Sequence, residues 1–228
     1  MATEQPRRSH LGKPVKTRPP KIHFEAFLPK QREILSASAK PARAWGAYLA
    51  GGLAVALQLG HRVSADFDWF TANTIPPDRL LDDIATTGLA VAIRQNDEGT
   101  FLGQVDGLEY SVFRYRYDVV GPTREVEGCQ IASLEDIGAM KLAAICQRSV
   151  KRDYVDLHAI LTRGRVSVDD LVSAWNRKYP GKDVGFALRA LVYFADVDKA
   201  RMPEMLIRTS WEEVKGYLEK LVLPSQRR

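Results

Sequence analysis

Asp66 and Asp68 stand one residue apart inside an apolar, strand-like run, "ADFDWF" at 65–70. In a strand, residues i and i+2 point to one face, about 6.6–7 Å apart. Asp66, Asp68 and Phe70 therefore share one side, and Phe67 and Trp69 the other. Two carboxylates in such a setting lose hydration and repel each other. A divalent cation removes that penalty. Mg2+ takes one or two carboxylates and completes its shell with phosphate oxygens and water. Upstream, Gly51 and Gly52 fall between a strand-like and a helix-like segment, with 13 residues between Gly52 and Asp66. Glycines there let backbone N–H groups curl around an anion, and the helix N-terminus adds partial positive charge. Arg62 and Ser64 can donate to phosphate oxygens, the arginine more strongly. Each part alone is common: Gly-Gly is usually a turn, Asp-x-Asp is frequent on surfaces, and a single arginine more often forms an ion pair. Only the combination is specific: a phosphate at the glycines would lie near a metal held by Asp66 and Asp68 if the two strands are neighbours. No GxxxxGK[ST] occurs, so this is not a Walker loop.

The elements that must position these groups can be read in outline. "FEAFLPKQREILSASAK" reads as a helix, "AWGAYLAGG" (44–52) as a short buried strand, and "LAVALQLG" (53–60) as a helix stopping at Gly60. "ADFDWF" is a strand, and 74–88 a turn and then a helix with Pro77 in its first turn. Residues 89–97, 100–105 and 108–117 read as three strands, with Asp106-Gly107 as a hairpin turn. Tyr110, Val112 and Tyr115 read as buried aromatic and aliphatic packing. Beyond Gly128 the pattern becomes helical. "SLEDIGAMKLAAICQR" opens with Ser133 and Asp136 in capping-box-like spacing; "KRDYVDLHAILTR", "SVDDLVSAWNRKY" capped by Ser167, "GFALRALVYFADV" and "SWEEVKGYLEKLV" with Ser210 and Glu213 follow. The expected plan is a basic, disordered tail (1–22), an α/β domain (23–130) and an all-helical C-terminal lobe (131–228). Ligands in such proteins often sit between lobes. On one continuous helix Lys141, Arg148 and Arg152 would form a stripe with Asp156 about 60° round; a break at Ser149 would remove it.

The 228 residues are 45% hydrophobic and 27% charged, the composition of a soluble globular chain. No run of roughly 18 apolar residues predicts a membrane helix, and the N-terminal segment lacks the apolar stretch of a secretory signal. Two cysteines without metal spacing, Cys129 and Cys146, suit a reducing cytoplasm. The net charge of +5 is matched by residues 1–21 alone, where six Lys/Arg face Glu4. The rest of the chain is balanced, so charge by itself does not make the globular part a nucleic-acid binder. His61 and His158 have no metal-ligand spacing and are expected to be structural.

"GG" followed at this spacing by "DFD" resembles the signature of polymerase-beta-like nucleotidyltransferases. More narrowly, "YLAGGLAVALQLGHRVSADFDWF" resembles the AbiEii/AbiGii toxin family, whose members read close to GG-x-A-L-x-L-x-L-G-H-R-x-S-x-D-F-D. The resemblance continues at 133–161, against a K-x-x-A-x-x-x-R…R/K-D-x-x-D-L motif, and touches 188–206. It covers nearly the whole chain except the tail. It implies an α/β (α+β) nucleotidyltransferase fold, a small mixed sheet flanked by helices and followed by a helical lobe. It implies that Asp66 and Asp68 hold Mg2+ (or Mn2+), that Gly51 and Gly52 hold the terminal phosphates of an NTP, and that Lys141 lies near those phosphates. Asp156 matches the motif's final Asp, a catalytic or metal-orienting residue, with Asp153 as companion. The expected activity moves an NMP to an acceptor hydroxyl, with a tRNA 3′ end favoured and Arg114, Arg116, Arg148 and the tail as phosphate contacts. The expected setting is a monomeric toxin with a cognate antitoxin.

The sequence departs from the superfamily at one point. Many such enzymes carry a third carboxylate on a later strand as base, and Ser111 stands there. Glu109 or Asp156 could supply it, or the base is dispensable. The alternatives are a nucleotide-binding module with reduced turnover acting through a partner, and transfer to a protein or small molecule.

Overall fold

The computed structural model describes residues 21–222. Nearly all of the basic segment expected to be disordered therefore lies outside the described residues. The centre is a seven-stranded mixed sheet in the order β3-β4-β5-β2-β1-β7-β6. Its strands are β1 (Tyr48–Ala50), β2 (Phe67–Thr71), β3 (Val91–Asp97), β4 (Thr100–Val105), β5 (Leu108–Arg114), β6 (Arg124–Val126) and β7 (Cys129–Ile131). β2 runs antiparallel to β1 and parallel to β5, with Asp68 opposite Ala50 on one side and Ser111 on the other. The period of two predicted for β2 is present: Phe67 and Trp69 are fully buried, while Asp68 and Phe70 are not. The β4–β5 turn is formed by Asp106 and Gly107, both at positive φ (49° and 81°), as a two-residue hairpin of the favoured twist requires.

β6 and β7 were not expected. Three residues each are too few to show alternation, but their turn, Glu127-Gly128, repeats the positive-φ pair (50° and 79°). The expected helix over 24–40 is broken. Pro29 disfavours helical geometry before it and Lys30 takes φ 69°, so a 3-10 turn at Phe24–Ala26 is followed by α1 (Gln31–Ala37) and α2 (Ala39–Trp45). The expected strand over 44–52 is only β1. Ala44 and Trp45 end α2, Gly46 closes it in the left-handed region, and Gly51 and Gly52 already belong to α3 (Gly51–Leu59).

α4 (Pro77–Ala85) covers the sheet edge, and five further helices follow: α5 (Leu134–Arg148), α6 (Lys151–Arg163), α7 (Val168–Lys178), α8 (Val184–Ala190) and α9 (Trp211–Val222). Ser133 caps α5 by accepting from Asp136 N at 3.2 Å. Asp136 does not complete the box, because its carboxylate is buried against Lys178 Nζ at 2.6 Å. The boxes at Ser167–Asp170 and Ser210–Glu213 are both complete. α8 stops earlier than expected. Tyr154 Oη donates to Tyr193 O at 2.8 Å, and the chain turns to bury Phe194 and Val197. No helix among the described residues is long and apolar enough to cross a membrane.

Two apolar clusters hold the molecule together. One joins the sheet to α3 through Leu49, Leu53, Leu57, Phe67, Trp69 and Tyr110. The other fills the helical half through Leu142, Tyr154, Leu157, Leu171 and Trp211. Ile137 of α5 and Ile160 of α6 pack into the first cluster. Each large buried side chain contributes about 1.5–3 kcal/mol, so the α5–α6 hairpin is fastened to the sheet rather than hung beside it.

Candidate active site

A cleft of about 420 Å³ opens between the sheet face bearing Asp68 and the α5–α6 hairpin. Its polar end is lined by Gly51, Gly52, Arg62, Ser64, Asp66, Asp68, Lys141, Arg148 and Arg152. Every residue expected to hold the metal or the triphosphate thus meets in one place; Asp156 does not line the cleft. Asp66 and Asp68 are the cleft's only carboxylates among the described residues. Asp66 Oδ2 receives Arg152 Nη1 at 3.3 Å. The Asp68 carboxylate accepts no side-chain or backbone N–H among the described residues. Burial, with Asp66 beside it, pushes its carboxyl up to about 6, although Lys141, Arg152 and Arg148 pull the other way. Such a carboxylate suits a hard divalent cation. No group of three or more His, Cys, Asp or Glu that could hold a metal occurs among the described residues. The two carboxylates would share the ion with phosphate oxygens and water, the coordination Mg2+ prefers.

Asp156 lies behind this surface, fully buried. Its two oxygens receive His61 Nε2 at 2.8 Å, Arg62 Nε at 2.6 Å, Arg62 Nη2 at 2.9 Å and Lys141 Nζ at 2.6 Å. Four donors fill its lone pairs, so Asp156, expected as a catalytic or metal-orienting residue, does not face the cleft but holds His61, Arg62 and Lys141. Burial raises its pKa, but Lys141 and Arg62 more than reverse this and hold it well below the ordinary range. Lys141 also donates to Asp153 Oδ1 at 2.8 Å, and Arg148 Nε to Asp153 Oδ2 at 3.0 Å. Burial opposes the Lys141 charge, yet Asp156 and Asp153 keep the ammonium protonated. Two of its three N–H donors are committed to these carboxylates, which leaves one for the cleft. Arg62 is likewise an ion-pair former first, with a bidentate bond to Asp156 and a third bond to Val63 O at 2.8 Å.

The helix does break at Ser149, which takes φ 42°. The stripe on one continuous helix therefore does not exist. Along such a helix Lys141 and Asp156 would be about 22 Å apart at ~1.5 Å per residue. The α5–α6 hairpin folds back and puts them in contact. Glu109 is no substitute for the missing third carboxylate, since it pairs with Arg94 and accepts from Gln104 Nε2 at 2.8 Å outside the cleft. Ser111 alone stands beside Asp68 on β5.

The family model described as "Nucleotidyl transferase AbiEii toxin, Type IV TA system" matches residues 33–224. The chain belongs to the AbiEii nucleotidyltransferase toxin family. An uncharacterized relative from Aquifex aeolicus (strain VF5), aq_aa25, is 32% identical over 182 residues, 77% of this chain and 85% of that protein. Among solved structures, JHP933 from Helicobacter pylori matches with a TM-score of 0.57 and 19% identity, covering 89% of this chain and 93% of that one. MenT4, the nucleotidyltransferase toxin Rv2826c from Mycobacterium tuberculosis H37Rv, matches with a TM-score of 0.54 and 15% identity, covering 84% and 81%. At these identities the two structures speak for the fold alone.

In this AbiEii-family nucleotidyltransferase the two glycines are required by side chains as well as by any anion. Gly51 has φ +68°, and a Cβ there would lie 2.2 Å from Asp68 Oδ2. A Cβ on Gly52 would lie 2.2 Å from Arg62 Nη2 and 2.9 Å from Ser64 Oγ. Gly51→Ala is expected to cost about 1–2 kcal/mol in backbone strain and to push Asp68 out of place. A displacement of that kind costs on the order of 10²-fold in rate. Steady-state kinetics alongside a urea melt checks this, and an alanine variant with wild-type kcat/KM would refute it.

At the aromatic end of the cleft the sequence reading places only Phe70, on the face of Asp66 and Asp68. Phe70, Phe113, Tyr115, Tyr117 and Tyr179 line that end. Phe70 meets Tyr115 edge-on at 5.3 Å, Tyr115 meets Tyr117 at 5.2 Å and Tyr117 meets Tyr179 at 4.7 Å. Tyr115, expected as buried packing, is part of this wall. The period of two through Ser111, Phe113 and Tyr115 was the available signal. Tyr179 comes from α7's far end and had none. Arg114 lines the cleft, whereas Arg116 lies on the Tyr117 ring at 5.0 Å and does not.

Proposed function

We propose that the cleft binds a nucleoside triphosphate with Mg2+ (or Mn2+) and transfers its NMP to an acceptor hydroxyl, with the 3′ end of an RNA, tRNA above all, as the favoured acceptor. The observation behind this reading is the convergence of Asp66, Asp68, the Gly51-Gly52 turn and Lys141 on one cleft with an aromatic far end. Asp66 and Asp68 would hold the metal, which supplies charge neutralisation at the phosphate oxygens. The first-turn N–H groups of α3, at Gly51 and Gly52, bind the terminal phosphates together with the Ser64 hydroxyl. Lys141 gives its remaining N–H to the same phosphates. Arg148 and Arg152 neutralise charge that builds on the departing pyrophosphate. The base lies against Phe70, Tyr115 and Tyr117. The acceptor oxygen forms its bond to the α-phosphorus as the α–β bridging P–O bond breaks, and the electron pair leaves with pyrophosphate. The hydroxyl proton passes to solvent, because a serine cannot serve as the base in the place of the third carboxylate.

The biological role that fits is the toxin of a bacterial toxin–antitoxin or phage-defence pair, acting in the cytoplasm with a cognate antitoxin as partner. Incubation with each α-labelled NTP, Mg2+ and total tRNA tests the reading. Label is expected in RNA from one NTP and is lost with EDTA. Label in protein instead would reassign the acceptor, and no pyrophosphate release from any NTP would defeat the proposal. Ser111→Ala should retain activity within about threefold, since a real general base contributes ~10²–10⁴. A hundredfold loss would show that Ser111 takes part.

A further inference from the structure

A second hollow of about 310 Å³ adjoins the nucleotide cleft on the α5–α8 side. Cys146, Trp175, Asp183 and Phe186 line it, and it shares Ala143, Gln147 and Lys182 with the cleft. Phe186 is 60% exposed, the most exposed large apolar side chain among the described residues. Nothing in the fold requires it there: Ala187, beside it on α8, supplies the helix's buried contact. Trp175, by contrast, is nearly buried, and its Nε1 donates to Lys182 O at 3.1 Å. Lys182 Nζ stands over the Tyr117 and Tyr179 rings, at 5.3 Å and 5.2 Å from their centroids. A cation therefore sits on the rim between the two hollows. Asp183 beside it caps α8 through Gly185 N at 2.7 Å and faces Arg189 at 3.7 Å.

We infer that this hollow is the acceptor subsite, where a base near the 3′ end of a single-stranded RNA stacks on Phe186 and the backbone runs past Lys182. The inference rests on the nucleotidyl-transfer reading above. An exposed ring with a cation at its side is the pairing that holds single strands, one supplying stacking and the other charge neutralisation. Continuity with the cleft gives the strand a path: past Gln147, its terminal hydroxyl enters the space that Asp68 faces. The apolar character of the hollow suits a base, and the charged polar end of the cleft suits the triphosphate, so the two substrates are sorted by chemistry.

The test uses the full-length protein and a short fluorescein-labelled single-stranded RNA, followed by anisotropy. Phe186→Ala is expected to weaken RNA binding about tenfold, the loss of one stacked base, with Phe186→Trp restoring it. NTP–Mg2+ affinity by calorimetry should be the same in all three proteins. Saturating RNA should also slow alkylation of Cys146, whose companion Cys129 is buried. RNA affinity within twofold of wild type in Phe186→Ala, or a Cys146 alkylation rate unmoved by RNA, overturns the subsite. A wild-type protein that binds NTP but no RNA overturns the subsite alone. One that binds no NTP overturns the nucleotidyl-transfer reading and the subsite with it.

Discussion

Asp68→Asn is expected to lose nucleotidyl transfer by ~10³-fold or more while the protein stays folded and becomes no less stable. A metal at a reacting phosphate contributes several kcal/mol to the transition state, and about 1.4 kcal/mol is tenfold in rate. The substituted side chain would keep the shape beside Gly51 but present a neutral amide to the cation. The stability half of the expectation comes from burial. Burial pushes the Asp68 carboxyl from 3.8 up to about 6, so its ionised form at neutral pH is held at a cost on the order of 2–3 kcal/mol. The substitution removes that cost, which is the usual exchange of stability for function at an active site. Thermal melts with and without Mg2+ and NTP separate the two effects. Ligand should raise the wild-type midpoint and leave the variant's where it was. A variant that turns over, or one that unfolds, would contradict the assignment of Asp68 as ligand.

Asp156→Ala should behave in the opposite way, losing stability and activity together. The carboxylate is the common partner of His61, Arg62 and Lys141. Its removal leaves Arg62 and Lys141 short of counter-charge in a buried place, a change that costs about 3–5 kcal/mol. Lys141 would keep only Asp153, and Arg62 would lose the contact that holds it against Gly52. The urea midpoint should fall sharply, and residual activity should show an NTP-binding defect. The pH dependence has a definite sign. The folded-state pKa of Asp156 lies well below its ordinary value of 3.8. Its contribution is therefore complete above that value and lost only as pH falls through the lower one. The stability gap between wild type and Asp156→Asn should thus be flat from about pH 7 to about pH 8 and lose the Asp156 contribution only in strong acid, while below about 6.5 His61, held below its ordinary value by burial and partly restored by Asp156, adds its own titration to the gap. Two aspartates in neighbouring motifs would then be separated by experiment: one that faces substrate, and one that holds the groups that do.

The carboxylate pair and the glycine turn were legible in the sequence for a simple reason. Asp66, Asp68, Gly51 and Gly52 belong to local geometry, a strand of period two and a strand-to-helix junction, and local geometry is written in adjacent residues. The β4–β5 hairpin was legible on the same ground, through Asp106-Gly107. The β6–β7 hairpin was missed because its strands are too short to carry a period. The helix expected over 24–40 is broken because Pro29 disfavours helical geometry before it and Lys30 takes the left-handed region.

Asp156 shows where sequence stops. Its motif marked it as important, but its role depends on a left-handed residue at Ser149 that folds α6 back along α5. Whether a carboxylate faces solvent, metal or a buried arginine is set by that turn and by what packs behind it. The same holds for the aromatic wall, where Tyr115 from the end of β5 meets Tyr179 from the end of α7, with their hydroxyls 2.6 Å apart, and for the hollow beside Phe186. Short motifs put Asp66 and Asp68 on one strand face and Gly51 and Gly52 at a strand-to-helix junction, because both arrangements are set by adjacent residues. Which charged residues reach the cleft, and which are used up holding them, is set by contacts between segments nearly a hundred residues apart, such as Arg62 and Asp156, where burial makes every unpaired charge costly.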